Sequence, residues 1–322
     1  MEKRNISLSN CSSNHTTEAL DLPGTRIVSI VFLSILSVAV VHGNILILRK
    51  CMELKRKIER GRHKNNAIFA KRISTIYLIF SLGVSDLLVG ALCVPTWLTI
   101  ELFFNFIWQR NGLAAFVEFI DIIIGVSSIS NVSLLSISRC CNIAFPFHSQ
   151  RYQSIGSVKI GLFFIWTFSL IVAVLRFTNI PRNQYVVFVS VFGFGVPLLL
   201  TILSYIFAMR SMKQRQRNLN LISNEMSGEQ KIGRTLLVIT LLIVAFWSPL
   251  FMASILYNFC IQCARFFEFP TARSLLTFIK WLHYFNSFAN PWIISHYNKQ
   301  FRFTVKIPFL PQKDHSNRLV IS

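Results

Sequence analysis

Apolar runs long enough to cross a bilayer recur along this chain at about 27–48, 73–98, 114–138, 157–176, 185–209, 233–257 and 274–296, separated by polar, charge-rich segments. A hydrocarbon core takes about 20 mostly apolar residues per helix. The pattern therefore predicts an all-α membrane protein, a seven-transmembrane helix bundle. No internal repeat or soluble domain interrupts it, so the chain divides into a polar leader at 1–26, one membrane domain at 27–296 and a tail at 297–322.

A few polar residues fall inside the apolar runs: Asn44, Asp86, Asp121, Ser128, Asn286 and Asn290. Hydrocarbon penalises such groups, which places them toward the bundle interior and makes each a functional candidate. Asp86 lies mid-span in "SLGVSDLLVGALCVP". Asn44, Ser128, Asn286 and Asn290 offer it polar partners, either as a hydrogen-bonded knot between helices or as a switch site for a small cation such as Na+. No other cofactor is expected.

Composition strengthens the membrane reading: 53% of residues are hydrophobic and 14% charged, with a mean hydropathy of +0.52. A formal charge of +20 and a pI near 10.2 raise nucleic acid as a partner. The lysines and arginines collect instead in "RKCMELKRKIERGRHKNNAIFAKR", in "MRSMKQRQRNLNLISNEMSGEQKIGR" and in the tail from Lys299. Basic loops between apolar spans mark the cytoplasmic face of a membrane protein, so the expected partner is membrane lipid and not nucleic acid. The leader has no apolar core of the kind a cleaved signal peptide needs. It carries three glycan acceptor sequons, at Asn5, Asn10 and Asn14. An outer N-terminus followed by seven spans leaves the C-terminus inside, in agreement with the charge.

Enzyme chemistry finds no foothold. The chain has no Gly-rich phosphate loop, Cys/His metal cluster or nucleophile elbow, and no pair of similar halves of the kind many transporters show.

Gly43-Asn44, Leu82 with Asp86, Ser138-Arg139-Cys140, Trp166, Pro197 and Tyr205, Phe246-Trp247-Ser248-Pro249 and Asn290-Pro291 follow one another along the seven spans. In this order and spacing they resemble the rhodopsin-like G-protein-coupled receptors over residues 27–302, most closely the biogenic and trace amine group. The resemblance implies a plasma-membrane receptor, not an enzyme, that signals to heterotrimeric G proteins. It also implies that "SHYNKQFR" is a short amphipathic helix along the inner membrane surface.

Asp121 and Arg139 are 18 positions apart, about five helical turns and ~27 Å along one stripe. Asp121 stands where amine receptors place the carboxylate that holds the ligand's ammonium. The resemblance extends the ligand site to Trp281 and Tyr284, to Trp247 and Phe251, and to Ser190. Departures are equally specific: Leu250, His283, Val189 and Gly193 replace the expected phenylalanine, glycine and two serines, so a catechol would find few partners. Ala114 replaces the cysteine at the head of helix three, and "RFTNIPRNQ" has none to pair with it. Lys280, one turn above Tyr284, offers a competing partner for Asp121 or Glu118. Were both carboxylates free, a ligand with two amines would fit.

At the inner end the resemblance assigns Arg139 and Glu229 to a resting ion pair and Tyr205 to the active form. Ser138, Cys140 and Ile294 stand where an acid and two tyrosines are usual. Cys260 and Cys263 can form a small outer disulfide in an oxidising compartment. The leading expectation is a receptor for a small cationic amine anchored by Asp121. The alternatives are a peptide or lipid receptor of the same fold, or a weakly signalling divergent receptor.

Overall fold

The computed structural model describes residues 23–61, 66–102, 111–145, 154–219, 226–260, 270–297 and 301, and those residues are helical almost throughout. Helix α1 spans Pro23–Arg60 and α2 spans Asn66–Leu88, which continues through a π-helical turn, Val89–Cys93, into α3, Val94–Leu102. Helix α4 is Asn111–Ala144 and α5 is Ile155–Val174; a 3-10 turn at Leu175–Phe177 follows. Helix α6, Arg182–Phe188, passes through a second π-helical turn, Val189–Gly195, into α7, Val196–Leu219; α8 is Met226–Phe259 and α9 is Pro270–Tyr297.

Among the described residues, six spans are long and apolar enough to cross a membrane: Ile27–Arg60, Phe69–Ile100, Ala115–Ala144, Ile155–Phe177, Arg182–Gln214 and Leu241–Phe259. The seventh, α9, has 28 residues but is diluted by Arg273, Lys280, His283, Asn286 and Asn290. Lys280, His283, Asn286 and Asn290 are buried in the bundle. Lipid offers backbone groups no partner, so each span closes its own hydrogen bonds as a helix.

The bundle is inverted relative to a water-soluble one. Ile35, Val38, Phe163, Phe164, Met252 and Trp292 are exposed, whereas Asn44, Asp86, Ser127, Ser128, Asn131, Asn286, Ser287 and Asn290 are buried. Helix α4 is central, packing on α2, α5 and α7, and α1 closes the ring against α2 and α9. An inner core joins Ile47, Ile79, Leu82, Ile129, Val132, Ile243, Trp247 and Ile294, with Phe301 sealed into it. An outer core gathers Leu33, Val40, Val89, Val94, Ile124 and Tyr284.

Both π turns have the same local cause. Pro95 and Pro197 each follow a turn by two residues; a proline ring clashes with the carbonyl four residues back and lacks an N–H, and the wider π geometry relieves both. The loosened Gly90 carbonyl accepts from the Ser37 hydroxyl of α1 at 2.7 Å. Here α1 and α2 approach so closely that a Cβ on Gly90 would lie 2.8 Å from Val40 Cγ1. Gly90→Ala is therefore expected to destabilise the protein by about 1–3 kcal/mol, as overpacking does, read as a lower thermal unfolding midpoint in detergent.

Candidate functional site

Three groups of side chains, from the outer to the inner half, occupy the bundle interior. In the outermost, Asp121 of α4 faces α9. Its Oδ2 accepts from Lys280 Nζ, and its Oδ1 accepts from the Tyr284 hydroxyl at 3.2 Å. Lys280 and Tyr284 are four residues apart, one above the other on a single helix face. Lys280 also lies over two rings, 5.3 Å from the Trp97 centroid and 5.1 Å from that of Tyr284. The pair is well shielded, with side-chain exposures of 8% for Lys280 and 24% for Asp121.

Beneath it lies an aromatic group. Phe194 stacks on Phe251 at 4.1 Å and on Trp247 at 5.9 Å, and Trp247 and Phe251 are 6.1 Å apart. His283 meets Trp247 edge-on at 4.2 Å and Tyr284 at 5.2 Å, so the departure from glycine at this position fills the space between the two groups. Helix α4 makes room with Gly125, where a Cβ would lie 3.2 Å from the Trp247 ring. Trp281 turns toward α1 and stacks on Phe32 at 4.4 Å. Ser190 is half-buried within the second π turn; the ring that this turn supplies to Trp247 and Phe251 is Phe194.

Deeper still, Asp86 is fully enclosed. Oδ1 accepts from the hydroxyls of Ser128 at 2.9 Å and Ser287 at 2.8 Å, and Oδ2 accepts from Asn290 Nδ2 at 2.8 Å. Ser287, not among the expected set, is thus a partner of Asp86, while Asn286 is buried on α9. Asn44 serves the backbone, donating to the carbonyls of Val40 at 2.9 Å and Ser287 at 3.3 Å. Trp166 Nε1 donates to Ser81 Oγ at 3.1 Å and ties α5 to α2.

The condition for a ligand with two amines, that Glu118 and Asp121 both be free, is not met. Glu118 Oε2 is held by Arg176 Nε at 2.6 Å and Arg182 Nη1 at 2.9 Å, and Asp121 is held by Lys280. The region that cannot form a disulfide to helix three, because Ala114 is not cysteine, is instead tied to it by charge. A double-mutant cycle of Glu118→Gln with Arg176→Gln is expected to give a coupling of about 0.5–1 kcal/mol in thermal unfolding, the scale of partly exposed pairs. A coupling indistinguishable from zero would show that these charges do not hold the segment.

At the inner end Arg139 lies on α4, its Nε buried without a hydrogen-bond partner among the described residues. Tyr205 packs with Cys140, Ile143 and Ala208. Glu229 lies on α8 at a position whose side chain is outside the described residues, so the expected Arg139–Glu229 pair is not seen either way. Asn5, Asn10, Asn14 and Cys263 also lie outside them, as do Asn298, Lys299, Gln300 and Arg302 of the expected inner-surface helix. Cys260 is disulfide-bonded; Cys51, Cys93, Cys140 and Cys141 are free thiols.

Four contributors carried signals that could have found them. Ser287 is three residues before Asn290, on the same helix face. Arg176 and Arg182 break the inner-face bias of the positive charges. Trp97 is an indole within an apolar span, four residues after Cys93. Phe194 had no such signal, because its orientation depends on the π turn.

The family model described as "7 transmembrane receptor (rhodopsin family)" matches residues 69–184 and 177–294. The D(2) dopamine receptor A of Xenopus laevis is 27% identical over 233 residues, covering 68% of this chain and 49% of that receptor. The chain therefore spans about half the length of this relative.

Proposed function

Given that the chain belongs to the rhodopsin family of seven-transmembrane receptors, we propose that it binds a small amine through Asp121 and passes the signal to a heterotrimeric G protein at the plasma membrane, its N-terminus outside. The observation that carries this reading is the shielded Asp121 carboxylate, which Tyr284 orients and beneath which lie the rings of Trp247, Phe251 and Phe194. A low-dielectric surround strengthens its attraction for an ammonium, and aromatic faces add cation–π attraction. Similarity to a dopamine receptor supports the same choice of ligand class.

Asp86 serves the switch below. Its carboxylate, with the hydroxyl oxygens of Ser128 and Ser287, is a hard-oxygen set of the type that suits Na+. Each hydroxyl donates its proton to Asp86 and keeps lone pairs for an ion. A ligand that favours one packing of α4, α8 and α9 over another shifts the population that a G protein meets at Arg139 and Tyr205.

The Lys280 contact supports a second reading, in which Lys280 neutralises Asp121 permanently and the ligand is a lipid or peptide. Guanine-nucleotide exchange in membranes carrying the receptor tests both. Exchange driven by amines supports the first, and exchange driven only by lipids or peptides supports the second.

A further inference from the structure

Lys280 is 7% exposed, yet among the described residues it gives one hydrogen bond, to Asp121. An ammonium has three donors and no acceptor, so two donors remain unused. Asp121 accepts from Lys280 and Tyr284 and, having about four lone-pair sites, keeps room for further donors. The indole Nε1 of Trp97 is buried with no acceptor among the described residues, and the Trp97 ring lies against Lys280. The site is thus an ion pair with unspent capacity of both signs, and its spare donors lie on and around Lys280.

A ligand with a lone ammonium matches half of this. It gives Asp121 a second cation while leaving Lys280 and the Trp97 indole without acceptors, and it adds net positive charge to a shielded place. If it displaces Lys280 instead, that cation is stranded, the costly outcome for a buried pair that loses one partner. A ligand with both an ammonium and a carboxylate completes the site: its ammonium joins Asp121 and its carboxylate joins Lys280. Four alternating charges then close on one another with no net charge added, and the carboxylate provides an acceptor for the Trp97 indole beside Lys280.

We infer that the Asp121–Lys280 pair selects a zwitterion, an α-amino acid with an aromatic side chain, over the corresponding decarboxylated amine. The aromatic group enters because Phe251, Trp247 and Phe194 form the stacked surface beneath the pair. The inference rests on the reading of Asp121 as the ligand's ammonium anchor and narrows its chemical class.

The test compares three matched pairs in a nucleotide-exchange assay: tyrosine with tyramine, tryptophan with tryptamine and histidine with histamine. The receptors are the parent, Lys280→Met, Lys280→Arg and Asp121→Asn, at equal surface expression. In at least one pair the parent is expected to respond to the amino acid at a concentration about tenfold lower than to its amine. Lys280→Met is expected to shift that preference toward the amine by about 100-fold, the scale of losing one partner of a desolvated charge pair. Lys280→Arg, which keeps the cation, is expected to retain the parental preference, and it keeps the test decisive if the methionine variant does not reach the surface.

An amine preferred by the parent and lost in Asp121→Asn overturns the zwitterion inference while leaving the ammonium anchor intact. A preference unmoved by Lys280→Met overturns it as well. No response to any of the six compounds overturns both readings.

Discussion

Asp121→Asn alone is expected to cost about 3–5 kcal/mol of stability, whereas Asp121→Asn combined with Lys280→Met returns the protein to near its parental stability. The reason lies in what each change leaves behind. Removing one partner of a buried pair strands the other, and that stranded charge is the expensive item; replacing both with groups of similar size is often neutral or better. Lys280 has 8% of its side chain exposed and no second carboxylate among its described partners. Glu118 is engaged by Arg176 and Arg182. Thermal unfolding of parent, both single variants and the double variant in one detergent measures the coupling directly. Additive losses would mean that the two side chains do not depend on each other.

Asp86→Ala is expected to be the other large loss, because Ser128, Ser287 and Asn290 all aim donors at this carboxylate. Each orphaned buried donor costs about 1–3 kcal/mol, and neighbouring losses do not sum simply. Asp86→Asn is the milder probe and separates the hydrogen-bonded knot from the ion site. If Na+ binds here, sodium at ten times its dissociation constant stabilises the parent by about 1.4 kcal/mol relative to a bulky organic cation at equal ionic strength. That increment is expected to vanish in Asp86→Asn. An increment of the same size in both proteins would remove Na+ from Asp86 and leave a helix-aligning knot.

The seven spans were legible because hydrocarbon imposes one pattern on every segment that crosses it. The observed helices run beyond the apolar windows, as α4 does from Asn111 to Ala144 around a window of 114–138. Hydropathy reports where lipid is, and a helix does not stop where lipid ends. The π turns were invisible to a fixed period of 3.6 residues, and with them the placement of Phe194 and Ser190 relative to the aromatic group.

The resemblance to amine receptors brought Asp121 and Tyr284 into one site, and helical spacing placed Lys280 one turn above Tyr284 as a rival partner. It could not rank Ser287 above Asn286 beside Asp86. Adjacent residues on a helix differ by about 100° in direction, and the choice depends on how α9 is rotated against α2. The charge tie between Glu118 and its two arginines joins α4 to the segment between α5 and α7, so it becomes visible only once three elements are placed together.

The proposed role of Asp121 as the ligand's anchor is tested most directly by guanine-nucleotide exchange in the parent and in the Asp121→Asn, Lys280→Met double variant, which should keep the fold. Both are challenged with amines that do and do not carry a carboxylate, at matched surface expression. A concentration-dependent response is expected in the parent, with its near-complete loss in a double variant that unfolds at the parental temperature. A parent silent to every amine, or a double variant that responds as the parent does, would contradict that role.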